Sequence, residues 1–465
     1  MRNLTSKALW IFLGDGGAKM FGFFTTIYLA RILGAEQYGL ITIAISVLGI
    51  TIWFSDLGLQ TLATRSIAAS DPEKREPSRY FWLKIVLSIT VMLAAGIVLW
   101  FILKSETLLR SLILLFILSL LPQSLKIDWY YKGVQKFMWV TLANWTQGLI
   151  YLGGLILMVS ADDLLLVPLI YSASILAGAL TMILSYRGQS SLSQRPDFSK
   201  WKSDIKTSYY LGAGHFLSQS IILLPPLVIG YFFTELQVGY YGVAIKLILM
   251  IMLADHVFNT LLLPNLTRLW NEQPEKVKAQ LSIVGRWMLF FGAAGTLVLF
   301  FSAELIITLL FGGQYQPAAP MLMILSLLLP VTFLNSVYSF GLISFGKDRD
   351  FLLSTAAGGI GCAVLLIAVG FMVDIEWLIA AVVLSEILIT ICVYLRFRKT
   401  IKLSLAGYIC SLGGILLMLT ISGSYLNLHS ILAAIISPLI LFILLYGLGL
   451  LSRDDLIWLK QRIIQ

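Results

Sequence analysis

The stretch ILGAEQYGLITIAISVLGI, residues 32–50, lies against FFTELQVGYYGVAIKLILM, residues 232–250, when the chain is compared with itself at an offset of about 200. Gln37, Gly39, Ala44 and Ile45 meet Gln237, Gly239, Ala244 and Ile245. Four identities in an apolar background carry little weight alone. The segments around them keep the same order, with 81–103 falling on 281–303. An internal repeat of apolar segments is the usual plan of a transporter that encloses a site near the bilayer midplane.

Composition puts the repeat in a membrane. The chain of 465 residues is 58% hydrophobic and 12% charged, with a mean hydropathy of +0.89. Soluble proteins carry roughly 25% charged residues, so about half the usual surface-forming material is missing. The net charge of +9 follows topology, and no nucleic-acid partner is expected. Cys362, Cys392 and Cys410 sit in apolar runs without metal-ligand spacing and read as small core residues.

A helix needs about 20 apolar residues to cross the hydrocarbon core. Fourteen such runs begin near Ala8, Glu36, Phe81, Leu108, Phe137, Leu164, Thr207, Leu236, Leu281, Ala318, Phe351, Trp377, Leu403 and Ser430. The first has spanning length and no small-residue cleavage site after it, so it reads as an uncleaved span. The connections alternate in charge. One side collects 26 of the 33 Lys and Arg, whereas the other holds only Arg31, Lys104 and Arg110. Because basic connections stay in the cytoplasm, both termini are expected there. The expected fold is all-α, with two six-helix lobes related by a parallel repeat and two added C-terminal helices. The lobes run 1–186 and 207–399, joined by the basic linker 187–206 (RGQSSLSQRPDFSKWKSDIK) and followed by spans 13–14 and a tail at 400–465.

Charges inside spans cost about 2.5–3.5 kcal/mol each on insertion scales and therefore invite functional readings. In WIFLGDGGAKMFGFF (10–24), Asp15 and Lys19 stand four apart and can pair on one helix face. At 1.5 Å per residue Asp15 lies about 10 Å and Lys19 about 16 Å into the span. The pair is either self-neutralised between helices or turned to a cavity, with Lys19 attracting an anion. Lys246, whose repeat partner is Ser46, has no acid within four residues and is expected to line the cavity. Arg286 and Lys84 begin their spans; Arg286 is a further substrate candidate, and Lys84 is expected to snorkel. His215 falls opposite Asp15 at the repeat offset and can change charge near neutral pH. With Asp255 and Glu386 these two form the ion-coupling or gating set, against the alternative of structural hydrogen bonds. Asp56 and Asp128, at span ends, read as gate or cap contacts. Pro225, Pro226 and Pro330 are expected to interrupt their spans.

The segments TIYLARILGAEQYGLITIAISV (26–47), FSDLGLQTLATRSIA (54–68) and KIDWYYKGVQKFMWVTLANW (126–145) resemble the Wzx-type polysaccharide exporters. These belong to the multidrug/oligosaccharidyl-lipid/polysaccharide exporter superfamily. The resemblance implies two lobes around a cavity that opens alternately to either side. It also implies a cargo of undecaprenyl-diphosphate-linked saccharide, flipped from the cytoplasmic to the outer leaflet of a bacterial inner membrane. Membrane lipid, a polysaccharide polymerase and chain-length proteins are the partners so implied, with H+ or Na+ as coupling ion. Three other readings share parts of the pattern: a drug–cation antiporter of the same fold, a lipid II flippase, and a membrane glycan polymerase. Lysines at 19 and 246 speak against the cationic cargo, and short outer connections against the polymerase. An enzyme is not expected. FGKD at 345–348 lacks a Walker A loop's spacing, and the scattered His215, His256 and His429 indicate no zinc site or other cofactor.

Overall fold

The computed structural model describes residues 2–103, 106–188, 191–371, 374–403, 405–425, 430–453 and 455, and these form helices and short connections without strands. The order is α1 (Arg2–Asp56), α2 (Leu59–Ala69), α3 (Pro77–Ile102), α4 (Thr107–Ile117), α5 (Leu120–Ser124) and α6 (Asp128–Gly133). It continues with α7 (Phe137–Met158), α8 (Leu166–Leu184), α9 (Trp201–Phe232), α10 (Glu235–Glu272), α11 (Pro274–Phe311) and α12 (Ala319–Ser326). The last are α13 (Leu328–Ser344), α14 (Asp348–Gly370), α15 (Ile375–Phe397), α16 (Ala406–Tyr425) and α17 (Ser430–Gly447). Among the described residues ten helices are long and apolar enough to cross a membrane, and Gln219–Phe232, Ala406–Ser422 and Ile431–Gly447 are shorter apolar helices. One of the ten, Gly16–Asp56, contains two expected spans, so all fourteen fall on helix.

Packing divides the chain into two compact units, residues 1–242 and 243–465. The division falls inside α10, so α9 and the first turns of α10 pack with the N-terminal helices. The sequence repeat divides the chain earlier, at 187–206.

In the N-terminal unit the turn between the first two spans is a single residue. Gly34 takes φ 79° and ψ 173° and breaks α1 into two helices at a kink, a backbone state open to glycine. The equivalent break falls at Phe233–Thr234. There Thr234 N–H donates to Gln237 Oε1 at 3.2 Å, and Gln237 N–H donates to Thr234 Oγ1 at 3.4 Å, a reciprocal capping box. This gives the glutamine at 237 its role, which its repeat mate at 37 does not share. In the first copy Gly34 supplies no hydroxyl, and Gln37 Oε1 is buried without a hydrogen bond.

The repeated glycines touch across the two copies. A Cβ on Gly39 would lie 1.8 Å from the carbonyl oxygen of Glu235, and one on Gly239 would lie 1.9 Å from that of Ala35. The contact reads the same in both directions, as a two-fold relation between copies requires, and only glycine permits such an approach. Towards the other end of α1, the chain turns through Leu57 (φ 44°) and Gly58 (φ 82°), and Gly58 lies against the backbone of Gly212. Trp53 Nε1–H donates to Gly212 O at 3.0 Å, and its ring stacks on Phe216 with centroids 4.1 Å apart.

The first half of α1 packs on α7. Thr141 Oγ1 donates to Trp10 O at 2.7 Å and Trp145 Nε1 to Leu13 O at 3.0 Å, while Gly14 and Gly17 lie against those same two side chains. Beneath α6, the buried Tyr80, Trp129, Tyr131, Ala143 and Met182 form a core.

In the C-terminal unit, α12 and α13 are one span broken at Leu327. Pro330 cannot donate to Ser326 O, and Thr296 Oγ1 from α11 donates to that carbonyl at 2.8 Å. The interruption expected of Pro330 is thus present at the break. The one expected of Pro225 and Pro226 is not: both are buried inside α9, which continues through them. Packed helices tolerate proline where neighbours enclose the freed backbone groups.

Candidate functional site

Two polar clusters stand out, one in each unit. In the N-terminal unit charges gather where α1 ends and α6 begins. Asp56 Oδ2 accepts from Gln60 N–H at 3.4 Å, capping the first turn of α2. Lys84 Nζ, on α3, stands 3.8 Å from Asp56 Oδ1. Gln60 Nε2 donates to Asp128 Oδ2, and Lys132 Nζ donates to the same oxygen at 2.9 Å, one turn along α6. Lys126, between α5 and α6, donates to Gln147 Oε1 at 3.0 Å and Asn144 Oδ1 at 3.5 Å, both on α7. Burial pushes the Lys126 ammonium below its ordinary value. Burial alone would raise Asp128, but the nearby Lys132, Lys84 and Lys126 outweigh it and hold the carboxyl down.

The snorkelling expected of Lys84 does not occur. The residue is 6% exposed, because Asp56 offers it a counter-charge inside the helix bundle. Asp56 and Asp128 make cap and contact interactions, with Lys84, expected to snorkel, beside Asp56 and Lys132, counted only as a topology marker, beside Asp128.

In the C-terminal unit, α13 presents Thr332, Asn335, Ser336 and Ser339 at helical spacing, a polar stripe on one face. Glu386, on α15 and 5% exposed, accepts from Thr332 Oγ1 and Asn335 Nδ2, each at 3.2 Å. Ser336 Oγ donates to Asp255 Oδ2 of α10, and Ser339 Oγ to Asn335 Oδ1 at 3.1 Å. The stripe therefore brings together Asp255 and Glu386, two members of the expected ion set. Its spacing in TFLNSVYS (332–339) was the available signal.

The remaining expected residues are distributed separately. Lys19 is exposed, as are Met20 and Phe24. It stands two residues, about 200° around the helix, from Gly17, so it points away from α7. Lys246 is half-buried between Val243, Ala244 and Leu247, which are buried. Neither lysine has an ion pair within 4.0 Å among the described residues. The side chains of Asp15 and His215 lie outside the described residues. Arg286 is engaged elsewhere: its Nε donates to Asp455 Oδ2 at 3.1 Å, Trp287 Nε1–H donates to Asp455 O at 3.1 Å, and Asp455 is 1% exposed.

The arrangement of spans is that of a known class of all-α membrane transporters. A lipid II flippase, MurJ, solved in an inward closed conformation, superposes with a TM-score of 0.74 at 15% identity, over 94% of this chain and 99% of that one. An inward-facing multidrug resistance transporter of the MATE family, in the MOP superfamily, superposes with a TM-score of 0.69 at 11% identity, over 82% and 94%. In sequence, the chain is 22% identical over 378 residues to the "Putative O-antigen transporter" of Escherichia coli (strain K12), which spans 77% of this chain and 88% of that protein. The polysaccharide biosynthesis protein family matches residues 4–270, and the chain belongs to it.

Proposed function

We propose that the protein flips a polyprenyl-diphosphate-linked oligosaccharide across the bacterial inner membrane by alternating access, with both termini in the cytoplasm. Its functional halves are the two copies of the repeat, joined through 187–206. Family membership supports the saccharide class, and likeness to flippases and exporters supports the fold such transport needs. The observation that carries the cargo's charge is the pair of lysines in spans without ion-pair partners among the described residues. An uncompensated ammonium in a span is expensive, and a diphosphate head group supplies the missing charge. Lys19, on the side of α1 away from α7, and Lys246 are the proposed contacts. Arg286 takes an anchoring role here, since Asp455 occupies it.

Coupling is proposed to run through the α13 stripe, where Thr332 and Asn335 donate to Glu386 and Ser336 donates to Asp255. A proton or sodium ion binding there would neutralise buried carboxylate, and Asp15 and His215 are proposed to contribute from their own helices. Surface-glycan export in cells carrying Lys19→Ala or Lys246→Ala tests the cationic contacts. Export falls strongly at normal protein levels; intact export in both variants would sink the diphosphate assignment. Transport into vesicles should respond to pH or sodium gradients and lose that response in Glu386→Gln. A wild-type protein indifferent to both gradients removes the coupling roles.

A further inference from the structure

The cluster of Asp56, Lys84, Lys126, Asp128 and Lys132 is not used by that reading. Among the described residues it sets three lysines around two carboxylates. Lys126 is held by two neutral amide oxygens. Lys84 has its carboxylate at 3.8 Å, longer than a hydrogen bond, and Asp56 Oδ1 makes no hydrogen bond although buried. Only Asp128 is well satisfied, by Lys132 and Gln60. A buried cation without a matching anion is costly, so the pocket has a standing affinity for negative charge.

Exposure grades across it. The side chain of Lys132 is 39% exposed, that of Asp128 14%, and that of Lys84 7%. The cluster is therefore reached by solvent at Lys132, beside the end of α6, and enclosed at Lys84. Ammonium groups and a side-chain amide donor, Gln60, together match a tetrahedral oxyanion with several acceptor oxygens.

We propose that this pocket is a docking site for a phosphate or diphosphate group, in which Lys126, Lys84 and Lys132 take the anion and the Asp128 carboxylate occupies its place when it is absent. The chemistry is shared by free pyrophosphate and by a lipid-linked diphosphate; choosing the lipid as source rests on the flippase reading. On that reading the pocket is a first station for the head group, apart from the Lys19 and Lys246 contacts.

The test uses the full chain in phosphatidylcholine nanodiscs, with thermal unfolding followed against two probes: inorganic pyrophosphate in water, and a polyprenyl diphosphate in the disc. Stabilisation by pyrophosphate identifies a free-anion site, and stabilisation by the lipid alone identifies a lipid head-group site. Lys126→Gln removes a charged hydrogen-bond donor and should weaken the apparent affinity roughly tenfold or more. Asp128→Asn removes the internal competitor and should tighten it. These opposite directions separate a binding role from simple misfolding, because each is read as a ligand-induced shift in a protein that still unfolds cooperatively. Export is measured separately in cells carrying Lys19→Gln, so a failure of the flippase reading shows up in export and a failure of this site shows up in the Lys126→Gln and Asp128→Asn shifts. The proposal is overturned if neither probe stabilises the wild type, if Lys126→Gln binds as wild type does, or if Asp128→Asn binds more weakly.

Discussion

The polar pocket of the N-terminal unit and the polar stripe of the C-terminal unit solve the problem of buried charge in different ways. At Asp128 and Asp56 the carboxylates are met by lysines from α3 and α6. At Glu386 and Asp255 they are met by threonine, asparagine and serine from α13. The first arrangement sets lysines against carboxylates and fixes charge in place. The second surrounds Glu386 with hydroxyl and amide donors, which can rearrange around a proton or a small cation. Repeated helices thus carry unlike electrostatics, and position 46/246, serine in one copy and lysine in the other, shows the same divergence at one residue.

The largest effect expected is in the C-terminal unit, where Arg286 pairs with the buried Asp455. Asp455→Ala leaves the guanidinium without its buried partner, and removing one member of a buried pair costs about 3–5 kcal/mol. The unfolding midpoint in nanodiscs should fall steeply. A variant as stable as wild type would show that this pair does not carry the stability of the unit.

Much of this was legible beforehand. Fourteen spans were readable because burial in lipid needs continuous apolar length, which is local in sequence. Gly39 and Gly239 were visible as an identity, although sequence could not show that each touches the other copy's backbone. The pocket was missed because Lys84, Lys126 and Lys132 lie at span ends, where basic residues mark topology. Lys126 meets Gln147 21 residues on and Asp128 meets Gln60 68 residues back; only the Lys132–Asp128 pair is local in sequence. Pro225 and Pro226 misled for a similar reason: proline is a local breaker, but surrounding helices decide whether the break occurs.

A direct contrast comes from neutralising one acid in each cluster. Asp128→Asn strands Lys132 and the other ammonium groups, and losing a charged hydrogen-bond partner costs about 1.5–3 kcal/mol. Glu386→Gln keeps the shape and meets only neutral donors, so its cost should stay within about 1 kcal/mol. Comparable losses in both variants would erase the distinction between the clusters. Beneath the distinction the scaffold should respond evenly. Gly39→Ala and Gly239→Ala each push a methyl into an opposing carbonyl, and overpacking costs about 1–3 kcal/mol. Unequal losses would mean that one copy yields more readily than its mate.

The smallest effect concerns the two ion pairs that tie α3 to the segment leading into α9, both within the N-terminal unit. Arg79 makes a two-pronged contact with Asp204, which is 5% exposed. Lys200 bonds Glu76 at 2.8 Å with both side chains largely in solvent. Solvent screening makes exposed pairs weak, so Lys200→Ala should barely move the unfolding midpoint, whereas Asp204→Ala should lower it clearly. The hydrogen bond from Lys200 outweighs desolvation and holds the Glu76 carboxyl below its ordinary value of 4.5. A depressed carboxyl binds fewer protons folded than unfolded, so its contribution is complete above pH 4.5 and fades as acid titrates the folded group. The small difference between wild type and Lys200→Ala should therefore vanish in acid. A difference that grew as the pH fell would assign the pair the opposite sign and place the weight of this tie elsewhere than on Glu76.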